Sequence, residues 1–402
     1  MFCTDPLRWR TAILALPFLL AACVTPPSPQ PVPTPAPPPP VAPAPVPPLT
    51  PVSWEQLPEW PQLDLRPSWP AFLQSCSALK RRSEWKNACA AAERLTADDN
   101  SVLRTFFEQH FSANVVRNPD GTTQGLITGY YEPRLFGSRT RTARFRYPLY
   151  AVPDDLLVID LGTVYPQLKD LRLRGRIEGR RIVPYYNRAE IDAGKGPAPA
   201  RVLFWVDDPI DLFFLQIQGS GRIELADGTK IKVGYADQNG HPYASIGKKL
   251  IAMGELKLEE ASMQGIKAWA VRNPQRLPEL LAQNPSYVFF RELPAELSAP
   301  LGALGVPLTE AYSIAIDPRN IPLGVPVLLS TTYPNSSEPL NRLMLAQDTG
   351  GAIKGAVRAD FFWGFGDEAG RQAGRMKQSG QMWALLPKPL ETPVAGITTA
   401  EN

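Results

Sequence analysis

One segment near the start of the chain limits the fold more than any other, because more than half of its residues are proline. Residues 26–51 read PPSPQPVPTPAPPPPVAPAPVPPLTP. Proline has no backbone N–H and a fixed φ, so this run cannot supply the donors of a helix or a sheet. We expect an extended polyproline II spacer of about 3 Å per residue, followed by the globular part. A docking site for proline-binding modules is the alternative.

The residues before the spacer have the layout of an export signal. Two arginines precede an apolar run over residues 11–20, which is shorter than the roughly 20 residues that a membrane-spanning helix needs. The sequence Leu-Ala-Ala-Cys at residues 20–23 resembles a bacterial lipobox, whose cysteine becomes the lipidated first residue of the mature chain. We predict a signal peptide at residues 1–22 and lipidation of Cys23. Because Val24 rather than Asp follows, the anchor is expected on the periplasmic face of the outer membrane; secretion without lipidation is the alternative.

About 350 residues follow the spacer, more than one typical domain, and this length predicts two domains. The chain is 44% hydrophobic, which is sufficient for a sizeable core. Its net charge of +3 is too small to indicate nucleic-acid binding. We therefore expect a globular protein without a nucleic-acid partner.

Two cysteines remain once the signal peptide is removed and Cys23 is lipidated. These are Cys76 and Cys89. In an oxidising compartment they can form a disulfide. Two buried thiols on neighbouring helices are the alternative.

The pattern of apolar residues separates a helical part from strand-rich parts. Residues 69–111 show the 3.6-residue period of amphipathic helices. Residues 125–152, 201–240 and 308–387 are rich in β-branched and aromatic residues and are interrupted by turn signals, among them Asp227-Gly228, a pair suited to a hairpin. Short strands with Gly and Pro turns indicate a mainly β fold built from barrels, not a parallel sheet with crossover helices.

Several common chemistries lack the residues that they need. The histidines, His110 and His241, stand in no metal-ligand spacing such as HExxH. We expect His110 to pack on a helix face and His241 to form a structural hydrogen bond in a turn. The Gly-Ser-Gly segment at residues 219–221 matches neither a phosphate loop nor a nucleophile elbow. The sequence therefore predicts no metal and no cofactor, and leaves carboxylate chemistry.

Three aspartates in the C-terminal strands are the candidates for that chemistry. Asp317 ends AYSIAID, Asp348 ends LMLAQD and Asp360 lies in AVRADFFWG. Each alone is consistent with a turn residue whose side chain bonds nearby backbone N–H groups. Together they allow an acid that acts on a sugar, because nearby like charges keep one carboxyl group protonated. The aromatic residues 361–363 are candidates for a sugar platform or for core packing.

Much of the chain resembles the family of membrane-bound lytic murein transglycosylase A, whose C-terminal part is called the 3D domain after its three aspartates. The resemblance runs from about Gly125 to Pro387, through TGYYEP, FFLQIQGSGRIEL, GYADQNGHPYASIGKKLI, NPSYVFF, SIAIDPRNIPLG and AQDTGGAIKGAVRADFFWGFGDEAGRQAGRMKQSG. It implies a double-psi β-barrel built from both ends of the mature chain, with a second β-rich domain inserted and a glycan groove between the two. The implied limits are residues 23–52 for the anchor and tether, 53–131 with 294–390 for the barrel domain, 132–293 for the inserted domain and 391–402 for a flexible tail.

The resemblance also implies a reaction and a site. Family members cleave the β-1,4 bond between N-acetylmuramic acid and N-acetylglucosamine in peptidoglycan, and one aspartate acts as acid and then as base to form 1,6-anhydromuramoyl ends. Asp360 matches that aspartate, and no other Asp or Glu lies between Gly350 and Asp360. Asp348 and Asp317 would hold the loops of the barrel and raise the pKa of the acid. The implied groove-lining residues are Tyr130, Tyr131, Gln216, Gln218, Gly219 and Ser220.

Two other functions remain open from the residues. One is a muramidase that uses water, with Asp348 or Asp317 as its base. The other is a non-catalytic lipoprotein that binds peptidoglycan, since barrels of this type also serve as binding modules. In each case the expected partners are glycan strands and a membrane reached through the lipid anchor, and other cell-wall enzymes are further candidates.

Overall fold

Strands make up most of the regular structure. The computed structural model describes residues 46–96, 98–169, 171–197 and 201–389. Numbered along the chain, the strands are β1 (Leu49–Pro51), β2 (Phe111–Val116), β3 (Gly125–Glu132), β4 (Arg134–Ser138), β5 (Tyr147–Tyr150), β6 (Leu157–Val158), β7 (Arg174–Glu178), β8 (Arg181–Pro184), β9 (Val202–Val206), β10 (Ser220–Glu224), β11 (Lys230–Gln238), β12 (Val288–Glu292), β13 (Ser313–Ile316), β14 (Pro326–Thr332), β15 (Pro339–Thr349), β16 (Arg358–Phe365) and β17 (Lys377–Pro387).

Helices occupy the N-terminal part, the middle of the chain and one segment between the last two strands. They are α1 (Trp69–Leu79), α2 (Lys86–Ala92), α3 (Asn100–His110), α4 (Arg188–Asp192), α5 (Pro209–Gln218), α6 (Ile246–Ala252), α7 (Met263–Arg272), α8 (Leu277–Ala282) and α9 (Gly366–Arg375). Short 3-10 turns lie at Trp54–Gln56, Trp60–Gln62, Arg66–Ser68 and Pro166–Leu168. The helices predicted within residues 69–111 are confirmed as α1 to α3.

Six strands close into a barrel. The order around the ring is β3, β17, β14, β15, β13 and β16, and β16 pairs again with β3. The pairings of β13 with β15 and of β16 with β3 are parallel, whereas the other four are antiparallel. The ring unites strands from both ends of the chain. It confirms the predicted mainly β fold and is consistent with a double-psi β-barrel.

The barrel and the N-terminal helices share one apolar core. Ile127 and Phe361 from the barrel strands are fully buried, as are Phe72 and Phe107 from α1 and α3. Phe72 and Phe107 both pack their rings against Phe111 at the start of β2. Burial of a large apolar side chain contributes about 1.5–3 kcal/mol, so these contacts hold the helices firmly against the barrel.

Cys76 and Cys89 form a disulfide that joins α1 to α2. Of the two alternatives for these cysteines, the disulfide is therefore the one observed. It links two helices that already share apolar contacts with the barrel.

The chain between β3 and β13 forms a second sheet with the strand order β12, β11, β10, β4, β9 and β5. Strands β10 and β11 are the predicted hairpin, and Gly228 in its turn has a φ of +83°. A small sheet of β6, β7 and β8 and the helices α4 to α8 complete this part. The limits 132–293 of an inserted domain stay a prediction.

The strand-like interpretation of residues 201–240 is wrong for α5. The Asp208 side chain accepts a hydrogen bond from the Ile210 N–H at 2.8 Å and caps the helix, which begins with Pro209. Gly219 ends it in the left-handed conformation, with a φ of +78°. An N-capping Asp, a Pro in the first turn and a terminal Gly are local helix signals, but the nearly continuous apolar run between them hides the helical period.

The end of the proline-rich segment also differs from its prediction. Residues 49–51 form β1 and pair antiparallel with β2. The Val52 N–H donates to the Ala113 carbonyl at 2.9 Å, and the Pro48 carbonyl accepts from the Arg117 N–H at 2.8 Å. Proline has no N–H to donate, but β1 is an edge strand, and its carbonyl groups can still accept hydrogen bonds from β2. The spacer therefore ends before residue 49.

Several predictions concern residues outside the described part of the chain. These are the signal peptide, Cys23, most of the spacer and the tail at residues 391–402. Within the described ranges, none of the helices has both the length and the apolar character needed to span a membrane.

Candidate active site

Four neighbouring strands of the barrel carry a row of aligned residues. Across β15, β13, β16 and β3, the register places Asp348, Ala315, Asp360 and Thr128 next to one another. Aligned residues of neighbouring strands point to the same face of a sheet. Two of the three predicted aspartates thus share one face, separated in the row by the methyl group of Ala315.

A bulge in β15 directs Asp348 to this face. Ile314 pairs with Ala346, but the next residue, Ala315, pairs with Asp348, so Gln347 is the extra residue. The Gln347 side chain is buried and donates to the Ala71 carbonyl in α1 at 2.8 Å. A bulge commonly changes the direction of the side chain that follows it. Here it leaves Gln347 in the core and places Asp348 in the row with Asp360.

Asp360 is a partly buried carboxyl group with a hydroxyl partner. Its Oδ1 accepts a hydrogen bond from the Thr128 Oγ1 at 2.5 Å. Burial raises the pKa of Asp360 above its usual value, and the Thr128 bond and the positive charge of Arg358 oppose that rise. Burial of this kind penalises the charged form. Asp360 therefore holds its proton at a higher pH than an exposed aspartate.

Asp348 is the more fully hydrogen-bonded of the two aspartates. Its Oδ1 accepts from the backbone N–H groups of Ala303 and Thr349, each at 2.9 Å. Its Oδ2 accepts from the Tyr130 hydroxyl at 3.0 Å. Burial raises the pKa of Asp348 to about 6, and the charge of Asp360 adds to the rise while the three hydrogen bonds oppose it. Both oxygens of Asp348 are engaged by the protein itself.

Tyr130 stands beside both carboxyl groups. Burial and the negative charges of Asp348 and Asp360 raise its pKa well above the usual value of a tyrosine. Its hydroxyl thus stays protonated and acts as a donor to Asp348. The ring packs against Phe362 with a centroid distance of 5.1 Å, which fixes its position on the site face.

Asp317 has a different environment from the other two aspartates. Its carboxylate accepts two bonds from the Arg319 guanidinium, at 2.9 and 2.6 Å, and one from the Gly355 N–H at 2.9 Å. The bonds from Arg319 lower the pKa of Asp317 to about 2. Asp317 thus fastens the turn after β13 to the loop before β16. Its charge is matched by Arg319, so the structure gives no support to the expectation that Asp317 raises the pKa of Asp360.

We expect Asp317→Asn to lower the free energy of unfolding by about 1–2 kcal/mol at pH 7. The hydrogen bonds from Arg319 lower the pKa of Asp317 from its ordinary value of 3.8 to about 2 in the folded protein. Its stabilising effect is therefore present above pH 3.8 and is lost as the pH falls through about 2. The figure is below the full linkage value because Arg319 is 58% exposed. Urea unfolding at pH 7 and at pH 3 measures the difference, which should shrink at pH 3.

Asp64 offers a matched control for this prediction. It also binds an arginine two residues later through both oxygens, at 2.9 Å each, but Asp64 and Arg66 are both about half exposed. Asp64→Asn should lower the free energy of unfolding by less than Asp317→Asn does, because solvent screens an exposed ion pair. An equal loss for Asp317→Asn at both pH values would show that the charge of Asp317 is not the source of the stabilisation.

The residues predicted to line a groove have separate environments. Tyr131 and Gln218 both line a cavity of about 230 Å³ between β3, α9 and helices α5 to α7. The Gln218 Oε1 also accepts from the Tyr131 N–H at 2.9 Å, which joins the end of α5 to β3. Gln216 is buried and accepts a hydrogen bond from Arg188, whereas Gly219 and Ser220 form the junction of α5 and β10. A role in glycan binding stays a prediction for all of these residues and for Tyr130.

The aromatic run after Asp360 belongs mainly to the core. Phe361 and Phe362 are 0% and 2% exposed. Trp363 is half-buried, packs at a tilt against Phe361 with a centroid distance of 4.7 Å and donates its indole N–H to the Met376 sulfur at 3.3 Å. Of the two interpretations for residues 361–363, core packing accounts for their contacts.

The histidines have the structural contacts expected of them. His110, the last residue of α3, packs its ring 4.9 Å from that of Phe106. The His241 Nε2 lies 2.7 Å from the Tyr185 carbonyl. Within the described ranges, no group of three or more His, Cys, Asp or Glu side chains is arranged to hold a metal ion.

Two residues of the site were not singled out from the sequence. Thr128 lies in the TGYYEP segment, and Arg358 lies two residues before Asp360. The Arg358 Nη2 donates to the Thr128 Oγ1 at 2.9 Å. Thr128 and Asp360 are 232 residues apart along the chain and meet only because β3 and β16 pair in parallel. A local sequence pattern carries no signal of such a contact.

Two family models match the chain. The MltA specific insert domain matches residues 126–291, and the 3D domain matches residues 312–386. A curated relative, the membrane-bound lytic murein transglycosylase A of Escherichia coli strain K12, is 37% identical over 270 residues, which are 65% of this chain and 66% of the relative. That match spans slightly less than two thirds of the relative's own length.

Solved structures match over a larger share of the chain. The crystal structure of MltA from Neisseria gonorrhoeae in its monoclinic form is 44% identical, with a TM-score of 0.72 over 84% of this chain and 92% of that chain. The crystal structure of E. coli MltA with bound chitohexaose is 30% identical, with a TM-score of 0.63 over 87% of this chain and 94% of that chain.

Proposed function

Because the chain belongs to the family of membrane-bound lytic murein transglycosylase A, we propose that it is a peptidoglycan lytic transglycosylase with Asp360 as its single acid and base. It cleaves the β-1,4 bond between N-acetylmuramic acid and N-acetylglucosamine. The observation that carries the assignment is a partly buried carboxyl group with a raised pKa. Within the described part of the chain, that group accepts a side-chain hydrogen bond at Oδ1 from Thr128, and Oδ2 has no side-chain donor.

The other two aspartates are poorly suited to act as a catalytic base. Both oxygens of Asp317 are held by Arg319 and Gly355. Both oxygens of Asp348 are held by backbone N–H groups and the Tyr130 hydroxyl. A hydrolase needs a second carboxylate to activate water. These contacts therefore favour a reaction that one carboxyl group completes.

The reaction proceeds in two proton transfers. Protonated Asp360 gives its proton to the bridging oxygen, the bond from that oxygen to C1 of the muramoyl residue breaks, and an oxocarbenium-like centre forms. The Asp360 carboxylate then takes the proton of the muramoyl C6 hydroxyl as O6 closes on C1. The nucleophile belongs to the substrate, so proximity is intramolecular. Asp360 ends the cycle protonated, and no water is consumed.

We expect the chain from Val46 onward, which retains β1, to release muropeptides that end in anhydromuramoyl groups. Their mass, measured by mass spectrometry after digestion of purified peptidoglycan, should be lower by one water than that of the hydrolytic products. Products of full mass with reducing ends would establish hydrolysis instead. The absence of soluble products, with retained binding to the glycan, would favour a binding module.

Attachment to a membrane is part of the proposal. The relatives are named as membrane-bound proteins, and the lipobox resemblance at Cys23 would account for such an attachment. An anchor at Cys23 on the periplasmic face of the outer membrane would bring the barrel to glycan strands. Because Cys23 lies outside the described residues, palmitate labelling of the wild-type chain and of Cys23→Ser is the appropriate check.

A further inference from the structure

Asp360 is connected to a fixed cation through one hydroxyl group. The Arg358 Nη2 lies 2.9 Å from the Thr128 Oγ1, and the Thr128 Oγ1 lies 2.5 Å from the Asp360 Oδ1. Arg358 and Asp360 are both on β16, and Thr128 is the residue of β3 aligned with Asp360. The three side chains thus form a short chain of hydrogen bonds between two parallel strands.

The direction of each hydrogen bond follows from the chemistry of the groups. A guanidinium group only donates, so the Thr128 oxygen accepts from Arg358. A hydroxyl has one hydrogen, and that of Thr128 is then directed to Asp360. The Oδ1 of Asp360 is therefore always an acceptor. When Asp360 is protonated, the proton belongs on Oδ2.

Arg358 is itself held in place. Its Nη1 donates to the carbonyl of Leu126 at 3.3 Å and to that of Ala359 at 2.5 Å. Burial lowers the pKa of Arg358, and the charge of Asp360 opposes that effect; an arginine nevertheless stays protonated. Arg358 is therefore a preorganised positive charge at one end of a hydrogen-bond relay, which runs from Arg358 through Thr128 to Asp360.

The other charged and titratable groups near Asp360 are Tyr130 on β3, Asp348 on β15 and the exposed Lys377 of β17, which is aligned with Thr128. Tyr130 on β3 donates to Asp348 on β15, and Asp348 and Asp360 act electrostatically on Tyr130. The aligned residue of β13 is Ala315, which does not titrate. Among these neighbours, Arg358 is the one whose charge favours the ionised form of Asp360.

We propose that Arg358 is a positioning residue which, by orienting the Thr128 hydroxyl, confines the acidic proton of Asp360 to Oδ2, the oxygen that faces the glycosidic bond. The inference rests on the proposed function and names two residues that serve the same site. It also assigns opposite roles to the two oxygens of one carboxyl group: Oδ1 is the anchored oxygen, and Oδ2 is the reacting oxygen.

The test uses the full-length chain and peptidoglycan turnover across a pH series. Arg358→Met should lower the maximal rate about tenfold, because an acid whose protonated oxygen is no longer fixed is less well oriented toward the glycosidic oxygen. It should also move the alkaline limb of the pH–rate profile to higher pH. The Asp360 carboxylate loses both a cation and an oriented donor, so the pKa of Asp360 rises. Thr128→Val should do the same, and Thr128→Ser, which keeps the hydroxyl, should behave as wild type. Arg81→Met, an exposed arginine of the N-terminal part, is the control and should leave both quantities unchanged.

The double variant decides whether Arg358 acts through Thr128. In a Thr128→Val background, Arg358→Met should lower the maximal rate by less than about twofold, because residues of one network are not additive. An additional tenfold loss in that background would overturn the relay. A wild-type rate and a wild-type alkaline limb for Arg358→Met would overturn the positioning role altogether, as would a Thr128→Ser variant that behaves like Thr128→Val.

A second readout does not depend on turnover. The carboxyl carbon of Asp360, followed by NMR in protein with labelled aspartate, should titrate at a higher pH in Arg358→Met and in Thr128→Val than in wild type. An unchanged titration in both variants would overturn the proposal. If Asp360→Asn retains turnover, the acid assignment fails, but this titration still reports on the link between Arg358, Thr128 and Asp360.

Discussion

Replacement of Asp360 by Asn is expected to lower the rate of glycan cleavage by at least about 10³-fold, within the range for removal of a general acid and base. Asparagine has nearly the same shape and its amide oxygen can still accept the Thr128 hydroxyl. It has no proton to give and no charge with which to accept one. Binding of glycan strands should therefore persist while release of anhydromuropeptides stops.

The stability of this variant separates loss of chemistry from loss of structure. Burial raises the pKa of Asp360, so the ionised form is the less favourable one in the folded protein. A neutral amide should leave the unfolding temperature at neutral pH unchanged or slightly higher. Asp98→Asn, at an exposed position away from the site, is the matched control. Activity close to that of Asp98→Asn would rule out Asp360 as the acid.

The second large effect is expected from Asn239→Asp, which should lower the free energy of unfolding by about 3–5 kcal/mol. Asn239 is 0% exposed. Its amide nitrogen donates to the carbonyls of Tyr186 and Pro285, each at 2.9 Å, and its amide oxygen accepts from the Tyr287 N–H at 2.9 Å. Aspartate would place a buried carboxylate oxygen against two carbonyl oxygens.

Asn335→Asp is the control for this second variant. Asn335 is exposed in the loop between β14 and β15 and has a φ of +52°, a conformation that Asp also tolerates. Chemical unfolding of both variants and of wild type gives the comparison. Surface substitutions usually change the free energy of unfolding by no more than about 0.5 kcal/mol. If the values for Asn239→Asp and Asn335→Asp differ by less than this, the buried amide contributes little to stability.

The parts of the fold that the sequence predicts are those governed by local rules. The helices α1 to α3 follow from a 3.6-residue period, and the β10–β11 hairpin follows from its Asp-Gly turn. The helix α5 does not follow from period, because residues 212–215 are buried on every side, and an all-apolar run has no amphipathic signal. Its capping residues, Asp208 and Gly219, were the informative signal.

In the candidate site too, some features can be predicted from the sequence, whereas others depend on contacts between residues that are far apart along the chain. Family resemblance points to Asp360, and the structure places Asp348 on the same face of the barrel. The separation of Asp317 from this pair depends on Arg319, only two residues later, and on Gly355 from a distant loop. The roles of Thr128 and Arg358 depend on the register of two strands far apart in sequence, which no period or turn signal encodes.

The closure of the barrel by β3, β16 and β17 also determines when the proposed active site can form. Ribosomes produce β3 more than two hundred residues before β16, so a nascent chain carries Thr128 long before its aspartate partner exists. Contacts between such distant segments form slowly, because the intervening chain must first be closed into a loop. An incomplete or truncated chain therefore lacks the contact between Thr128 and Asp360, and the order of synthesis delays the activity proposed for this site until the last strand has been incorporated.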